Sequence, residues 1–298
     1  MRVPVACAVV ALGLLVAACD ASLEEQCAAS PPRYEAPERD DDHVATEVRF
    51  QSGCTTLAGT LYQPLGEGPH PTMVFLHGSG EMPRLGFGSP WITTPLVEAG
   101  MAVMSYDKRG VGDSGGECCP DEDDDFETLT ADGLAAVDAL AGRDDVGPIG
   151  LLGVSQGGWV IPKMVARSPK VAYTVILSGS AVSVGEEITY SDLTGEPYLL
   201  PSDIDMENIL RQVREEGPSG FDPRPLLRAY RVPGLWIYGA RDGSQPTALD
   251  VEVLERIEAE QGRDFTVEVF PDLGHDTTHD HTVIETMLAW LDQTLASR

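Results

Sequence analysis

The sequence is organised around the stretch Gly153-Val154-Ser155-Gln156-Gly157-Gly158, in which a serine has glycines two residues before it and two residues after it. An apolar run at residues 149–152 precedes this stretch, and helix-like residues 159–167 follow it. A serine in the pattern G-x-S-x-G between a strand and a helix predicts a nucleophile elbow, a sharp turn that exposes the serine oxygen at the carboxyl edge of a sheet. Glycine avoids the collision that larger side chains would make where strand and helix come close. Ser155 is therefore the candidate nucleophile.

Apolar, strand-like runs alternate with helix-like segments along most of the chain. The predicted strands are residues 72–76, 102–106, 149–154, 171–177, 235–238 and 265–270, and the predicted helices are residues 91–99, 126–141, 156–167, 247–259 and 282–296. This alternation predicts an α/β fold with a mostly parallel, doubly wound sheet covered by helices on both faces. Strand-like residues 44–50 and 56–62, separated by Ser52-Gly53, predict an antiparallel hairpin before that sheet.

One long segment, residues 181–231, interrupts the alternation. It contains two predicted short helices, at about residues 205–216 and 223–230, and much irregular acidic sequence. Such a long connection favours a small cap over the site rather than a disordered loop. The composition, 42% hydrophobic and 23% charged, is typical of a globular protein. We therefore expect one folded domain over residues 44–298, with this cap as an insertion.

The amino-terminal residues 1–18 form a segment apart, with Arg2 followed by an apolar stretch that is too short to span a bilayer comfortably. This pattern predicts an export signal peptide. Its end, Val16-Ala17-Ala18-Cys19, resembles the lipobox of bacterial lipoproteins, which implies cleavage before Cys19, a lipid on that cysteine and anchoring to the periplasmic or cell-surface side of a bacterial membrane. An ordinary secretory signal is the alternative. Acidic, proline-containing residues 19–43 predict a solvated tether.

The net charge of −28 limits the partners of the protein. Such a field repels phosphate backbones and anionic lipid headgroups, so it disfavours nucleic acid and electrostatic membrane binding. Any membrane attachment should therefore come from the lipid on Cys19.

Four further cysteines, Cys27, Cys54, Cys118 and Cys119, could form disulfides in an oxidising compartment. A bond between the neighbours Cys118 and Cys119 would join Cα atoms about 3.8 Å apart, below the usual range, so we expect that pairing to be strained. Cross-pairing with Cys27 and Cys54 is easier, and the sequence leaves the choice open.

A serine nucleophile needs a base and a group that orients the base. His275 lies in Asp272-Leu273-Gly274-His275-Asp276, just after the last predicted strand, and Asp242 lies in Gly239-Ala240-Arg241-Asp242-Gly243, just after the strand before it. The order Ser155, Asp242, His275 is the chain order of a hydrolase triad built on an elbow. In this interpretation His275 moves the serine proton and Asp242 holds its tautomer.

Donors for an oxyanion are also present in the sequence. His77-Gly78-Ser79-Gly80 directly follows the strand at residues 72–76, so the amides near Gly78 and Ser79 can face the serine together with the amide of Gln156. His77 itself is interpreted as a residue that shapes the turn.

Over residues 44–298 the chain resembles the α/β-hydrolase family, and most of all its esterase and serine-aminopeptidase-like branch. The stretches that carry the resemblance are His77-Gly78-Ser79-Gly80, Tyr106-Asp107-Lys108-Arg109-Gly110-Val111-Gly112-Asp113-Ser114, Gly153 to Trp159, Gly239-Ala240-Arg241-Asp242 and Gly274-His275. The resemblance implies that Asp107 and Arg109 support the oxyanion loop and do not react. Other branches of the family carry aspartate or cysteine at the nucleophile position. Serine at position 155 therefore implies acyl transfer to water, without a cofactor.

Two clusters have a metal-like composition, but neither predicts a metal site. The first contains His275, Asp276, His279, Asp280 and His281; His275 is needed in the triad, and the others begin the last helix, where acids favour the helix dipole. The second, residues 117–125, matches no known cation-binding spacing and favours a solvated insertion.

The leading hypothesis is a serine hydrolase that cleaves carboxylic esters of a small molecule through an acyl-enzyme on Ser155. An amide or peptide hydrolase on the same triad is the first alternative, disfavoured because the large extra domain of many such peptidases is missing. A non-catalytic lipoprotein with a vestigial hydrolase fold is the second, disfavoured because no triad or oxyanion residue is lost. The acidic cap lacks a long apolar run, which favours short acyl chains and neutral or cationic esters.

Overall fold

The structure, a computed structural model, describes residues 30–84, 89–119 and 126–297. The predicted signal peptide, the lipid-bearing Cys19 and the first part of the tether lie outside these residues and stay predictions. Within the described ranges, no helix has both the length and the apolar character needed to cross a membrane.

The elements follow one another as strands and helices in near alternation after an amino-terminal group of strands. The strands are β1 (Arg33–Tyr34), β2 (Glu38–Arg39), β3 (His43–Ser52), β4 (Thr55–Pro64), β5 (His70–Leu76), β6 (Ala102–Tyr106), β7 (Val146–Val154), β8 (Val171–Leu177), β9 (Gly234–Gly239) and β10 (Phe265–Phe270). The helices are α1 (Ser89–Glu98), α2 (Glu127–Leu140), α3 (Gly157–Arg167), α4 (Val184–Thr194), α5 (Met206–Glu216), α6 (Arg224–Arg228), α7 (Thr247–Gln261) and α8 (His281–Ala296).

All ten strands of the described residues belong to one sheet, in the order β1-β3-β4-β6-β5-β7-β8-β9-β10, with β2 paired to β3. The six strands in the order β6-β5-β7-β8-β9-β10 run parallel to one another. β3 and β4 form an antiparallel hairpin, and β4 joins the sheet by pairing antiparallel with β6. This is the predicted mostly parallel sheet with an amino-terminal hairpin. The central parallel strands β6, β8 and β9 are buried along almost all of their length, so they read as nearly continuous apolar runs, whereas the edge strand β10 is partly exposed.

Helices cover both faces of the sheet and enclose two apolar cores. On one face α2, α3 and α7 pack with the cap, through residues that include Leu129, Ile161 and Leu254. On the other face α1 and α8 pack through residues that include Ile92 and Met287. The loops after the parallel strands meet at one edge of this sandwich, so that edge carries the candidate site.

Two segments differ from the prediction. Residues 33–39, expected in the tether, pair with β3 through β1 and β2, and the hydroxyl of Tyr34 donates to the carbonyl of Ala139 on α2. The cap contains three helices, because α4 precedes the two that the sequence predicts. Ser183 and Glu186 form a capping box at the start of α4, and this S-x-x-E spacing is the signal that could have predicted the helix.

The disulfides also differ from the expectation. Cys118 and Cys119 are joined to each other, across a peptide bond that is cis, with their Cα atoms 3.1 Å apart. The expectation of about 3.8 Å assumed a trans peptide. Cys54 is disulfide-bonded as well, and Cys27 lies outside the described residues, so a pairing through Cys27 stays a prediction.

The predicted turn after β7 brings α3 very close to the ends of β7 and β8. A Cβ on Gly158 would lie 2.4 Å from the backbone nitrogen of Ser180, and one on Gly153 would lie 2.6 Å from Cδ1 of Ile161. At Gly157 a Cβ would only reach an ordinary contact, 3.8 Å from the carbonyl oxygen of Leu76. The position after the serine that has no room for a side chain is therefore Gly158 rather than Gly157.

We expect Gly158→Ala to lower the free energy of unfolding by about 1–3 kcal/mol, because backbone atoms that cannot turn aside occupy the space of the new methyl group. The matched variant Gly157→Ala, one residue earlier, should be neutral or stabilising by up to about 1 kcal/mol, as alanine favours the helix. Urea unfolding followed by circular dichroism measures both. Equal stabilities of the two variants would contradict the close approach of α3 to Ser180.

Candidate active site

Ser155 stands between β7 and α3 in a strained backbone conformation. Its φ is +52°, in the left-handed region that residues other than glycine rarely adopt. Its N–H donates to the carbonyl of Leu177 at the end of β8, with 3.0 Å between nitrogen and oxygen. The neighbouring strand thus holds the turn that the G-x-S-x-G pattern predicts.

Asp242 and His275 meet although they are far apart in the sequence. Asp242 follows β9 and His275 follows β10, and Oδ2 of Asp242 lies 2.8 Å from Nδ1 of His275. The other carboxylate oxygen, Oδ1, accepts the backbone N–H groups of Ser244 at 2.7 Å and Gln245 at 2.8 Å. The buried carboxylate is therefore fixed on both oxygens, and it leaves Nε2 of His275 for chemistry.

The cap, residues 181–231, holds the loops that carry these two side chains. The hydroxyl of Tyr190 on α4 donates to the carbonyl of Asp242 at 2.7 Å, and the N–H of His275 donates to the carbonyl of Tyr198 at 2.8 Å. A Cβ on Gly274 would lie 1.7 Å from that same Tyr198 oxygen. Glycine at position 274 is thus what allows the cap to approach the histidine loop.

A cavity of about 420 Å³ brings the candidate residues together. It is lined by Ser155 and His275, by Gly78 and Ser79 from the loop after β5, by Trp159 on α3, and by the cap residues Glu187, Ile188, Ser191, Asp192, Glu196 and Tyr198. The cap therefore forms one wall of the pocket that contains the serine and the histidine.

The surroundings of His275 raise its pKa above the ordinary value of 6.5. Burial lowers this pKa, but the hydrogen bond and the charge of Asp242 outweigh burial, and the charges of Glu187 and Asp276 add to them. Carboxylates stabilise the imidazolium form because they carry the opposite charge. A histidine with a raised pKa is suited to hold a proton during a reaction near neutral pH.

The oxyanion loop, residues 77–80, lies directly beside Ser155, since a Cβ on Gly78 would be 3.4 Å from the Cβ of the serine. Nε2 of His77 donates to the carbonyl of Tyr106 at 2.8 Å. Burial, and to a smaller extent the nearby charge of Lys108, lower the pKa of His77 to about 4, so this imidazole is neutral near pH 7. His77 is placed to shape the turn.

Asp107 and Arg109, which follow β6, bond to segments outside residues 77–80. Both carboxylate oxygens of Asp107 accept backbone N–H groups, from Arg84 at 2.7 Å and from Asp113 at 2.9 Å. Arg109 pairs with the buried carboxylate of Asp132 on α2. Neither Asp107 nor Arg109 lines the cavity formed by the described residues, and their support of the oxyanion loop stays a prediction.

The first metal-like cluster of the sequence is used for internal hydrogen bonds. Asp276 lies 2.8 Å from Nδ1 of His279, and Asp280 accepts the N–H groups of Thr282 and Val283 at the start of α8. In the part of the chain that the structure describes, no group of three or more His, Cys, Asp or Glu side chains is arranged to hold a metal ion. Most of the second cluster, residues 120–125, lies outside the described residues.

The structure adds three residues that the sequence analysis did not assign. Lys108 donates to the carbonyl of Gly78 in residues 77–80, and Tyr190 donates to the carbonyl of Asp242. Glu187 lines the same cavity as His275, and its charge raises the pKa of His275. Lys108 stands inside the quoted D-x-R-G stretch, so its place in the chain was visible. Tyr190 and Glu187 belong to α4, the helix that the prediction missed.

The chain is similar to several known hydrolases. A family described as serine aminopeptidase, S33, matches residues 67–199, and the carboxyl-terminal region of BAAT and acyl-CoA thioester hydrolases matches residues 135–276. Esterase EstD of Thermotoga maritima is 29% identical over 281 residues, which cover 83% of this chain and 64% of EstD. Mitochondrial acyl-coenzyme A thioesterase 2 of Rattus norvegicus is 31% identical over 150 residues, 49% of this chain and 30% of that enzyme. The chain therefore spans less than two thirds of the length of either relative.

A solved structure of an esterase from Pyrococcus furiosus superposes with a TM-score of 0.63 at 18% identity, over 89% of this chain and 90% of the esterase. This likeness shows the shared fold. The matched relatives and families are described as an esterase, acyl-CoA thioesterases and a serine aminopeptidase.

We expect the imidazole of His275 to titrate above pH 6.5, and Glu187→Gln to lower its pKa, because losing a nearby negative charge destabilises the imidazolium. NMR titration of the histidine ring signals measures both values, with His275→Gln to assign the signal. Glu207→Gln removes an exposed cap carboxylate outside the cavity lining and is the matched control. If Glu187→Gln leaves the pKa of His275 unchanged, the predicted influence of Glu187 is wrong.

Proposed function

The chain has the α/β-hydrolase fold, and from its site we propose that it is a serine hydrolase that cleaves carboxylic esters through an acyl-enzyme on Ser155. One observation carries the proposal: the hydrogen bond of 2.8 Å between His275 and Asp242, at the wall of the cavity that Ser155 also lines. An oriented imidazole beside an exposed serine is what activates a hydroxyl group as a nucleophile.

In the proposed reaction, Oγ of Ser155 attacks the ester carbonyl while Nε2 of His275 takes the serine proton. The tetrahedral intermediate collapses when His275 gives this proton to the departing alcohol, which leaves the acyl group on Ser155. Water then attacks the acyl-enzyme with His275 as the base, and the acid product leaves. Asp242 keeps the proton of the neutral imidazole on Nδ1 and stabilises the positive charge that forms in each half-reaction.

The negative oxygen of the intermediate needs donors beside the serine. We assign this role to the backbone amides near Gly78 and Ser79 and to the amide of Gln156, the residue after the serine. Gly78 and Ser79 line the cavity, and Gln156 precedes the first turn of α3. Each such donor contributes about 2.7–4 kcal/mol at the transition state.

The cavity favours small oxygen esters over CoA thioesters. Its cap wall carries the carboxylates Glu187, Asp192 and Glu196, and the whole chain has a net charge of −28. The phosphates of CoA would be repelled by both, whereas a neutral or cationic ester would not. The volume of about 420 Å³ suits a short acyl chain with a small alcohol.

An amide or peptide hydrolase is the second candidate, and the match of residues 67–199 to the serine aminopeptidase family favours it. It would use the same triad, and an amide differs chiefly in its poorer leaving group. Turnover of an ester and an amide that share one acyl group distinguishes the two candidates. Faster hydrolysis of the amide would assign the chain to the second.

We expect a fluorophosphonate probe to label the intact protein at Ser155, because the probe reacts only with a serine that a base activates. Mass spectrometry of the labelled peptide locates the adduct, and Ser155→Ala should take no label. His275→Ala, which keeps the serine but removes the base, is the second control. An unlabelled wild-type protein would favour a non-catalytic hydrolase fold.

We expect the cap carboxylates to favour a cationic alcohol group. The ratio of kcat/KM for acetylcholine to kcat/KM for its neutral isostere, 3,3-dimethylbutyl acetate, should fall about two- to fivefold in Asp192→Asn/Glu196→Gln, as expected for partly exposed charges. The control Asp203→Asn/Glu207→Gln removes two cap carboxylates that do not line the cavity, and it should leave the ratio unchanged. The same fall in both variants would show that net charge alone sets the preference.

A further inference from the structure

Lys108 is a buried lysine directly behind the oxyanion loop. Only 5% of its surface is exposed. Its Nζ donates to the carbonyl of Gly78 at 2.7 Å, to the carbonyl of Gly80 at 3.1 Å and to Oε1 of Gln156 at 3.0 Å. A buried ammonium is costly unless its hydrogens are bonded, and these acceptors match its three donors. The side chain is therefore held in one place.

We propose that Lys108 is a positioning residue that sets the oxyanion hole, because it fixes the peptide that carries the Ser79 amide and the residue that carries the second amide, Gln156. The inference rests on the proposed ester hydrolysis and goes beyond it, since it gives a role in the transition state to a side chain that touches no substrate.

The first step of the argument is the geometry of a peptide unit. The carbonyl of Gly78 and the N–H of Ser79 belong to the same planar trans peptide, so they point in opposite directions. Because the carbonyl of Gly78 points to Lys108, the Ser79 N–H points away from Lys108. Gly78 and Ser79 line the cavity, whereas Lys108 is not one of the described residues that line it. The Ser79 amide is thus turned to the side where an ester oxygen would lie.

The second step concerns Gln156. Its side chain is turned into the protein, with 1% of the residue exposed, and Oε1 accepts from Lys108. Its backbone N–H follows Ser155 directly. One ammonium group therefore ties the loop after β5 to the start of α3, and the two proposed donors are held at a fixed separation although they come from segments 77 residues apart in the chain.

The third step is electrostatic. A charged donor makes the stronger kind of hydrogen bond, and it polarises the Gly78–Ser79 peptide so that the N–H on its far side becomes a better donor. The positive charge of Lys108 also lies just behind residues 77–80, so it stabilises a negative oxygen on the cavity side of that loop. Burial together with the charge of Lys108 holds the pKa of His77 low, so His77 adds no second positive charge beside the loop.

The experiment compares Lys108→Met with Lys163→Met. Both lysines have 5% of their surface exposed, but Lys163 pairs with Glu127 at 2.7 Å and does not line the cavity. We expect Lys108→Met to lower kcat about ten- to a hundredfold, somewhat less than the full loss of an oxyanion donor, with KM changed little. Affinity for a trifluoromethyl ketone that forms a tetrahedral adduct should fall by a similar factor, and Lys163→Met should change neither value.

A folded Lys108→Met protein with wild-type kcat and wild-type affinity for the ketone would overturn the inference. If Lys108→Met does not fold, Gln156→Leu carries the test. This change removes one acceptor of Lys108 but keeps the backbone N–H of residue 156, so kcat should fall and KM should hold. An unchanged kcat in Gln156→Leu would then overturn the inference. Loss of the proposed function itself is distinguishable, because the wild-type protein would neither turn over esters nor react with fluorophosphonate.

Discussion

The site depends on the close approach of α3 to the ends of β7 and β8, which holds Ser155 in a left-handed backbone conformation. Helix and strands come together there because Gly153 and Gly158 present no side chains to Ile161 and Ser180. The parallel sheet supplies the rest. With β5, β7, β8, β9 and β10 as neighbours in that order, the loops that carry the oxyanion residues, the serine, Asp242 and His275 all leave the same edge, where adjacent strands lie only about 4.8 Å apart.

Much of this arrangement was predictable from the sequence. Strands buried on both faces appear as unbroken apolar runs, and the predicted bounds of β6, β8 and β10 are those of the structure. Asp242 and His275 stand just after such runs, so their meeting follows from the parallel order of the strands, and the structure places them 2.8 Å apart. Their role in catalysis stays a prediction.

Features that depend on tertiary partners were not predictable in this way. β1 and β2 have two residues each, too few to show a period, and they exist because the edge of β3 accepts them. Helix α4 has no strong apolar stripe, and its local signals were its two ends, the capping box of Ser183 and Glu186 and the left-handed Gly195. The place of Lys108 in the chain was plain, but its three acceptors come from two other segments, so its environment appeared only in three dimensions.

The contacts between the cap and the loops that carry Asp242 and His275 have a consequence for the proposed selectivity. Leu200 donates to the carbonyl of Arg241, and Tyr198 and Tyr190 bond to the backbones of His275 and Asp242. The cap therefore cannot move as a separate lid without breaking its hydrogen bonds to the loops that carry Asp242 and His275. A molecule too bulky for the pocket would have to push against the segment that aligns the proposed acid and base, and any displacement of that segment disturbs their alignment. Under the proposed function, size discrimination acts through this misalignment: an oversized ester binds without being cleaved.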